Sequence, residues 1–177
     1  MEKSLLIAGF GGQGVMLIGK TISYAANDMG FNATFFPAYG SEQRGGTANC
    51  TVIISDEEIG CPVCEKFDNI IVMNEPSYVK FSPDLKEGGE MLINSSLVLS
   101  RPEKGVKYHE IDSGAIANEI GNSKVANMVI LGAYVAINGQ LNVDEVKKMV
   151  KKSLGSKVDL IELNMKAIDA GIAAIKK

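Results

Sequence analysis

Apolar positions along this chain follow two periods, and the switches between them mark the elements. The run Leu5-Leu6-Ile7-Ala8 predicts a buried strand of the parallel type. Val15, Ile18, Ile22, Ala25 and Met29 then recur at spacings of three and four, one face of a helix. Residues 31–36, 48–55, 67–73, 91–94 and 106–111 predict further strands. Residues 56–58 and 86–90 read as turns, and Glu75-Pro76-Ser77 starts a short helix. Asp112 or Ser113 caps a helix over 115–120. Residues 126–137 are apolar on every side, so that helix is buried at the centre of the fold or under a partner chain. Asn142 and Glu145 form a capping-box variant ahead of a helix over 144–152. The last helix, 159–176, carries one stripe through Leu160, Leu163, Ala167, Ala170 and Ala174. A second runs through Ile161, Met165, Ile168, Ile172 and Ile175. Two adjacent stripes make a wide apolar face, which points to oligomerisation, a homodimer included.

Strands alternating with helices predict an α/β fold, a Rossmann-like three-layer sandwich with a mostly parallel sheet. Its helical C-terminal part, from Ser113 on, covers the sheet. Residues 1–177 read as one domain, with no internal repeat or long linker.

The chemistry concentrates in the turn after the first strand, where Gly9, Gly11, Gly12 and Gly14 fall within six residues. Strand, glycine-rich turn and helix together hold phosphate or pyrophosphate. Glycine lets backbone N–H groups approach an anion, and the helix start adds the positive end of its dipole. Two patterns overlap here. Gly9, Gly11 and Gly14 fit the dinucleotide fingerprint, and Gly14 with Gly19-Lys20-Thr21 fits the P-loop. Position speaks against the P-loop, because Val15-Met16-Leu17-Ile18 reads as helix already under way. The strand over 70–73 also runs into Asn74-Glu75 instead of Asp. The dinucleotide reading lacks its acidic residue, since the second strand ends at Pro37-Ala38-Tyr39 and Asp28 falls on the helix. An anion-binding turn remains, against the plainer reading that the glycines only permit close packing.

A second informative stretch is the polar, glycine-rich loop over 37–47, with Tyr39, Ser41, Glu42 and Arg44. It is longer than most connections and would sit at the same strand edge as the glycine turn. Arg44 could take a phosphate or carboxylate through its fork, or brace the loop with Glu42.

Net charge of −3 and a pI near 5.3 leave no electrostatic footprint for nucleic acid. No apolar run reaches the ~18–20 residues of a membrane span, and no signal peptide precedes the first strand. With three cysteines suiting a reducing compartment, the expected location is the cytoplasm. Cys61-Pro62-Val63-Cys64 lacks a second pair for zinc, and three thiols cannot complete a four-cysteine cluster. These cysteines read as incidental small buried residues, and His109 as a surface or packing histidine.

Three separated motifs carry a family resemblance: GFGGQG over 9–14, YGSEQRGGTANC over 39–50 and ISDEEIG over 54–60. Together they resemble the gamma subunit of 2-oxoacid:ferredoxin oxidoreductases, with RGGTANC most like the 2-oxoglutarate branch. Ser41, Gln43 and the two CPVC thiols depart from the pattern. The resemblance implies a complex that converts a 2-oxoacid, coenzyme A and oxidised ferredoxin into acyl-CoA, carbon dioxide and reduced ferredoxin. It implies thiamine diphosphate and iron–sulfur clusters held mainly by alpha, beta and ferredoxin-like delta subunits. The gamma chain would help hold coenzyme A beside the thiamine site, with Gly9, Gly11, Gly12, Gln13 and Gly14 meeting a pyrophosphate. Ser41 and Arg44 would meet another phosphate or the mouth of the active site. No thiamine-binding signature and no nucleophile–base pair is legible, so catalysis by this chain alone is not expected. Two alternatives stay open, a stand-alone P-loop-type nucleotide-binding protein and a non-catalytic scaffold subunit of the same complex.

Overall fold

A computed structural model of the chain describes residues 1–39 and 46–175. Six strands form one sheet: β1 (Glu2–Phe10), β2 (Asn32–Tyr39), β3 (Thr47–Ser55), β4 (Phe67–Val72), β5 (Leu85–Asn94) and β6 (Lys107–Ile111). Their order is β2-β3-β1-β4-β5-β6. The β1–β4, β4–β5 and β5–β6 pairs are parallel, while β3 runs antiparallel to both β1 and β2. Only β3 therefore opposes the common direction, and the α/β fold with a mostly parallel sheet holds.

The helices are α1 (Val15–Asp28), α2 (Glu75–Phe81), α3 (Ser113–Ile120), α4 (Ala126–Asn138), α5 (Val143–Leu154) and α6 (Val158–Ile175). One face of the sheet is covered by α1 and the C-terminal helices. There Leu5, Ile7, Ile18, Ile22, Val52 and Ile71 join Val129 and Ile168 in the main core. Complete burial of each large aliphatic side chain contributes about 1.5–3 kcal/mol. The other face has a smaller cluster under α2, around Leu6, Ile70, Tyr78, Met91 and Ile93. Three layers result, with unequal outer ones.

Predicted caps appear as bonds. Asp112 accepts from the Ala115 N–H at 2.9 Å, and Asn142 accepts from the Asp144 N–H at 2.7 Å. The uniformly apolar helix is α4, and its partner is α6 of the same chain. Gly132 faces the backbone of Ile168, and Gly171 faces that of Val129. From Leu163 on, both stripes of α6 contribute to the core, through Ala167 and Ile168 with Leu163, Met165 and Ile172 beside them, while Leu160 at the start of the helix stays exposed.

Three expectations change. β2 continues through Pro37 to Tyr39, because it is an edge strand and a missing N–H on the open side costs no ladder bond. The stretch over 86–90 is not a turn between elements. β5 begins at Leu85, and register slips where Phe67 pairs with Leu85 but Asn69 with Glu90, with Gly88 at φ +75°. The CPVC thiols are not core residues: Cys61 is exposed and Cys64 half-buried, on an irregular segment before β4, whereas Cys50 is fully buried.

Candidate functional site

The glycine turn leaves β1 at the centre of the sheet, where chain connections diverge: α1 leads toward β2 and β3, while β4 leads through α2 toward β5 and β6. In open α/β sheets ligands bind outside the carboxyl ends of the strands at such a point. A cleft of about 320 Å³ lies there. Its walls come from Gly12 and Gln13 after β1, Met73 after β4, Asn94 and Ser96 at the end of β5, Ser113 opening α3, and Lys124 and Asn127 around the start of α4.

The four glycines divide by role. A Cβ on Gly9 would lie 2.7 Å from the Gln13 Oε1 and 2.9 Å from the Val15 Cγ2. Gly14 is the N-cap of α1 at φ +80°, and a Cβ there would strike the Asn127 side chain, 2.9 Å from its Cγ. These two are demanded by packing. The Gly11 N–H is spent on the Gly46 carbonyl at 3.1 Å. Gly12 differs, since it adopts φ +97° with open space beside it and lines the cleft. That conformation costs a non-glycine residue about 1–2 kcal/mol.

Gln13 folds back into the turn. Its Oε1 accepts from the Phe10 N–H at 2.6 Å and from the Asn74 Nδ2 at 2.8 Å. Asn74 in turn caps α2 by accepting from the Ser77 N–H at 3.0 Å. The side chain of Gln13 thus sets the shape of the turn and ties it to β4. No side chain among the described residues caps α1, and its first turn carries no acid. Its first N–H groups have no partner within the helix.

The floor of the cleft is an internally satisfied polar network. Asn94 Nδ2 donates to the Met73 carbonyl at 3.1 Å and Ser113 Oγ donates to Asn94 Oδ1 at 2.7 Å. Ser96 Oγ donates to Asp112 Oδ1 at 2.6 Å and accepts from the Gly114 N–H at 2.8 Å. The Ser96 hydroxyl and the Ala115 N–H hold the Asp112 carboxyl below the usual carboxylate range. Asn94, Ser96, Lys124 and Asn127 were not singled out from sequence, and Ser113 only as a candidate helix cap. The signal was faint: polar residues directly after an apolar strand and directly before an apolar helix.

The P-loop reading fails on position. Gly19 sits within α1 and lets the helix approach β2 and β3, since a Cβ there would lie 3.1 Å from the Phe35 ring on β2 and 2.5 Å from the Cys50 Sγ on β3. Lys20 is exposed with its Nζ 5.5 Å from the Tyr24 ring, and Thr21 is buried. Ser41 and Arg44 lie outside the described residues. The ends of their loop do not: Tyr39 pairs with Ala48, and Phe10 with Thr47, so the loop starts and ends at the edge where the glycine turn sits. Among the described residues no three His, Cys, Asp or Glu side chains are grouped to hold a metal ion. No described helix is long and apolar enough to cross a membrane.

Residues 4–174 match the family described as pyruvate ferredoxin/flavodoxin oxidoreductase. The chain belongs to that family. It is 34% identical over 179 residues to the 2-oxoglutarate synthase subunit KorC of Methanothermobacter marburgensis, covering 97% of this chain and 95% of that one. It is 35% identical over 172 residues to the ketoisovalerate oxidoreductase subunit VorA of the same organism, but spans only 36% of its length. The keto/oxoacid ferredoxin oxidoreductase gamma subunit of Geobacter sulfurreducens superposes with a TM-score of 0.85 at 32% identity, over 98% of each chain. A 2-oxoglutarate:ferredoxin oxidoreductase from Magnetococcus marinus, solved with 2-oxoglutarate, coenzyme A and succinyl-CoA, gives a TM-score of 0.91 at 25% identity. It covers 99% of this chain and 31% of that one. The resemblance read from the three motifs therefore holds, and neither the stand-alone nor the scaffold alternative gains support.

Proposed function

We propose that residues 1–177 form one gamma-type domain that serves a 2-oxoacid:ferredoxin oxidoreductase by holding coenzyme A. The complex would oxidise and decarboxylate a 2-oxoacid, 2-oxoglutarate being the expected one. Two electrons pass to ferredoxin, carbon dioxide leaves, and the acyl group ends on the coenzyme A sulfur. Thiamine diphosphate and the iron–sulfur clusters belong, on this reading, to alpha, beta and ferredoxin-like delta partners.

The observation that carries the reading is the glycine turn opening on a cleft at the point where the connections diverge. Gly12 and the uncapped first turn of α1 offer backbone N–H groups to a pyrophosphate. Gln13, Gly9 and Gly14 hold that backbone in shape. Gly11 helps anchor the loop that carries Ser41 and Arg44, which would meet a further phosphate or the mouth of the reaction site. The role of this chain is to bind and orient, and the chemistry stays with the assembled enzyme.

Arg44→Ala in the assembled complex tests the loop. The expected result is a raised KM for coenzyme A or a lowered kcat. An unchanged profile removes Arg44 from the site.

A further inference from the structure

The proposed site carries an asymmetry in its charges. The glycine turn presents neutral donors, and the polar side chains of the floor are spent on one another, Asn94 with Ser113 and Ser96 with Asp112. Gln13 is spent on Phe10 and Asn74. One formal cation lines the cleft among the described residues, Lys124. It sits on the short 3-10 turn Ser123–Val125 ahead of α4, held by Asn122 Oδ1 accepting from the Lys124 N–H at 3.0 Å. Asn127, three residues on, abuts Gly14, so the backbone bearing Lys124 is fixed against the glycine turn. The lysine is exposed and forms no ion pair with a described carboxylate. Asp112 is engaged by the lining residue Ser96 and by Ala115.

Coenzyme A carries two kinds of phosphate. Each phosphate of its pyrophosphate bears a single charge, which backbone N–H groups and a helix start accommodate. Its ribose phosphate is a monoester with a second pKa near ~6, so it approaches two charges at neutral pH and calls for a formal counter-charge. A lysine ammonium is a point charge on a long stem, suited to a phosphate without fixed orientation. We infer that Lys124 holds the ribose 3′-phosphate of coenzyme A and makes this chain the part of the enzyme that distinguishes coenzyme A from its dephospho form. The inference rests on the coenzyme A reading of the glycine turn.

The test is steady-state kinetics of the assembled complex with coenzyme A and with 3′-dephospho-coenzyme A, using wild type, Lys124→Gln and Gly12→Ala. Lys124→Gln should raise the KM for coenzyme A about tenfold, the scale of one charge-assisted contact, and leave that for the dephospho form as in wild type. Gly12→Ala, which disturbs the backbone donors common to both substrates, should raise both KM values together. If Lys124→Gln raises both equally, or neither, while Gly12→Ala raises both, the assignment of Lys124 is overturned and the glycine turn stands. If neither variant moves either KM, the coenzyme A reading itself falls, and the inference with it.

Discussion

The seam between α4 and α6 sets where the start of α4, and with it Asn127 and Lys124, meets the glycine turn, so a change there is the sharpest test of the packing. Gly132→Ala puts a Cβ onto the Ile168 carbonyl oxygen, 2.8 Å from its carbon and 2.9 Å from its Cα. These are backbone atoms, so no rotamer relieves the clash. Ordinary contact starts at 3.4 Å, so the helices must part by about half an ångström or more along the seam. A gap of that size forfeits about a quarter of the dispersion attraction of the side chains across it. Val129, Ala133 and Ile168 are fully buried there, which puts the loss at roughly 3 kcal/mol, at the upper end for overpacking. Helix propensity alone predicts the opposite sign, a gain of about 1 kcal/mol for Ala over Gly. Thermal unfolding should show a Tm drop of roughly 6–12 °C for Gly132→Ala. Gly139→Ala, with φ +68° and nothing near its Cβ, should lose about 1–2 kcal/mol from backbone strain alone. A Gly132→Ala protein as stable as wild type, or less affected than Gly139→Ala, would refute the seam.

Other outcomes follow from single residues. Burial pushes the Cys50 thiol up to about 12, so alkylation of the native chain near pH 8 should spare Cys50 and modify exposed Cys61, as peptide mass spectrometry would show. Burial works to raise the Glu90 carboxyl, but Lys107 at 2.9 Å and His109 at 2.5 Å outweigh it and leave it lowered. A depressed carboxylate contributes stability above its unfolded pKa and loses it as pH falls through the folded value. Chemical denaturation from about pH 7 to about pH 3 should therefore weaken wild type more than Glu90→Gln, and equal slopes would remove Glu90 from the acid limb. Lys20→Ala should leave coenzyme A kinetics unchanged and stability within about 0.5 kcal/mol, as for an exposed helical position. A lost nucleotide affinity would restore the P-loop.

What could be read from sequence was what is local. β1, the glycine turn and α1 are contiguous, and their periods change where the elements do. The caps at Asp112 and Asn142 were legible for the same reason. The direction of β3 was not, because its nine residues look alike in parallel or antiparallel pairing, and only the register, running from Glu2 opposite Ser55 to Phe10 opposite Thr47, decides. The false P-loop arose because Gly19 is needed against Cys50 and Phe35, a contact between residues far apart in the chain. The cleft walls were hidden likewise, since Asn94, Ser113 and Asn127 come from separate elements joined only by sheet order.

The central claim is that the glycine turn of this chain meets coenzyme A. Hydrogen–deuterium exchange of the assembled complex, with and without coenzyme A, addresses it directly. The account predicts slower exchange with the ligand at residues 12–17 and 123–127, and no change at residues 60–66 at the far end of the sheet. Protection elsewhere in the complex, with residues 12–17 exchanging at the same rate in both states, would contradict it.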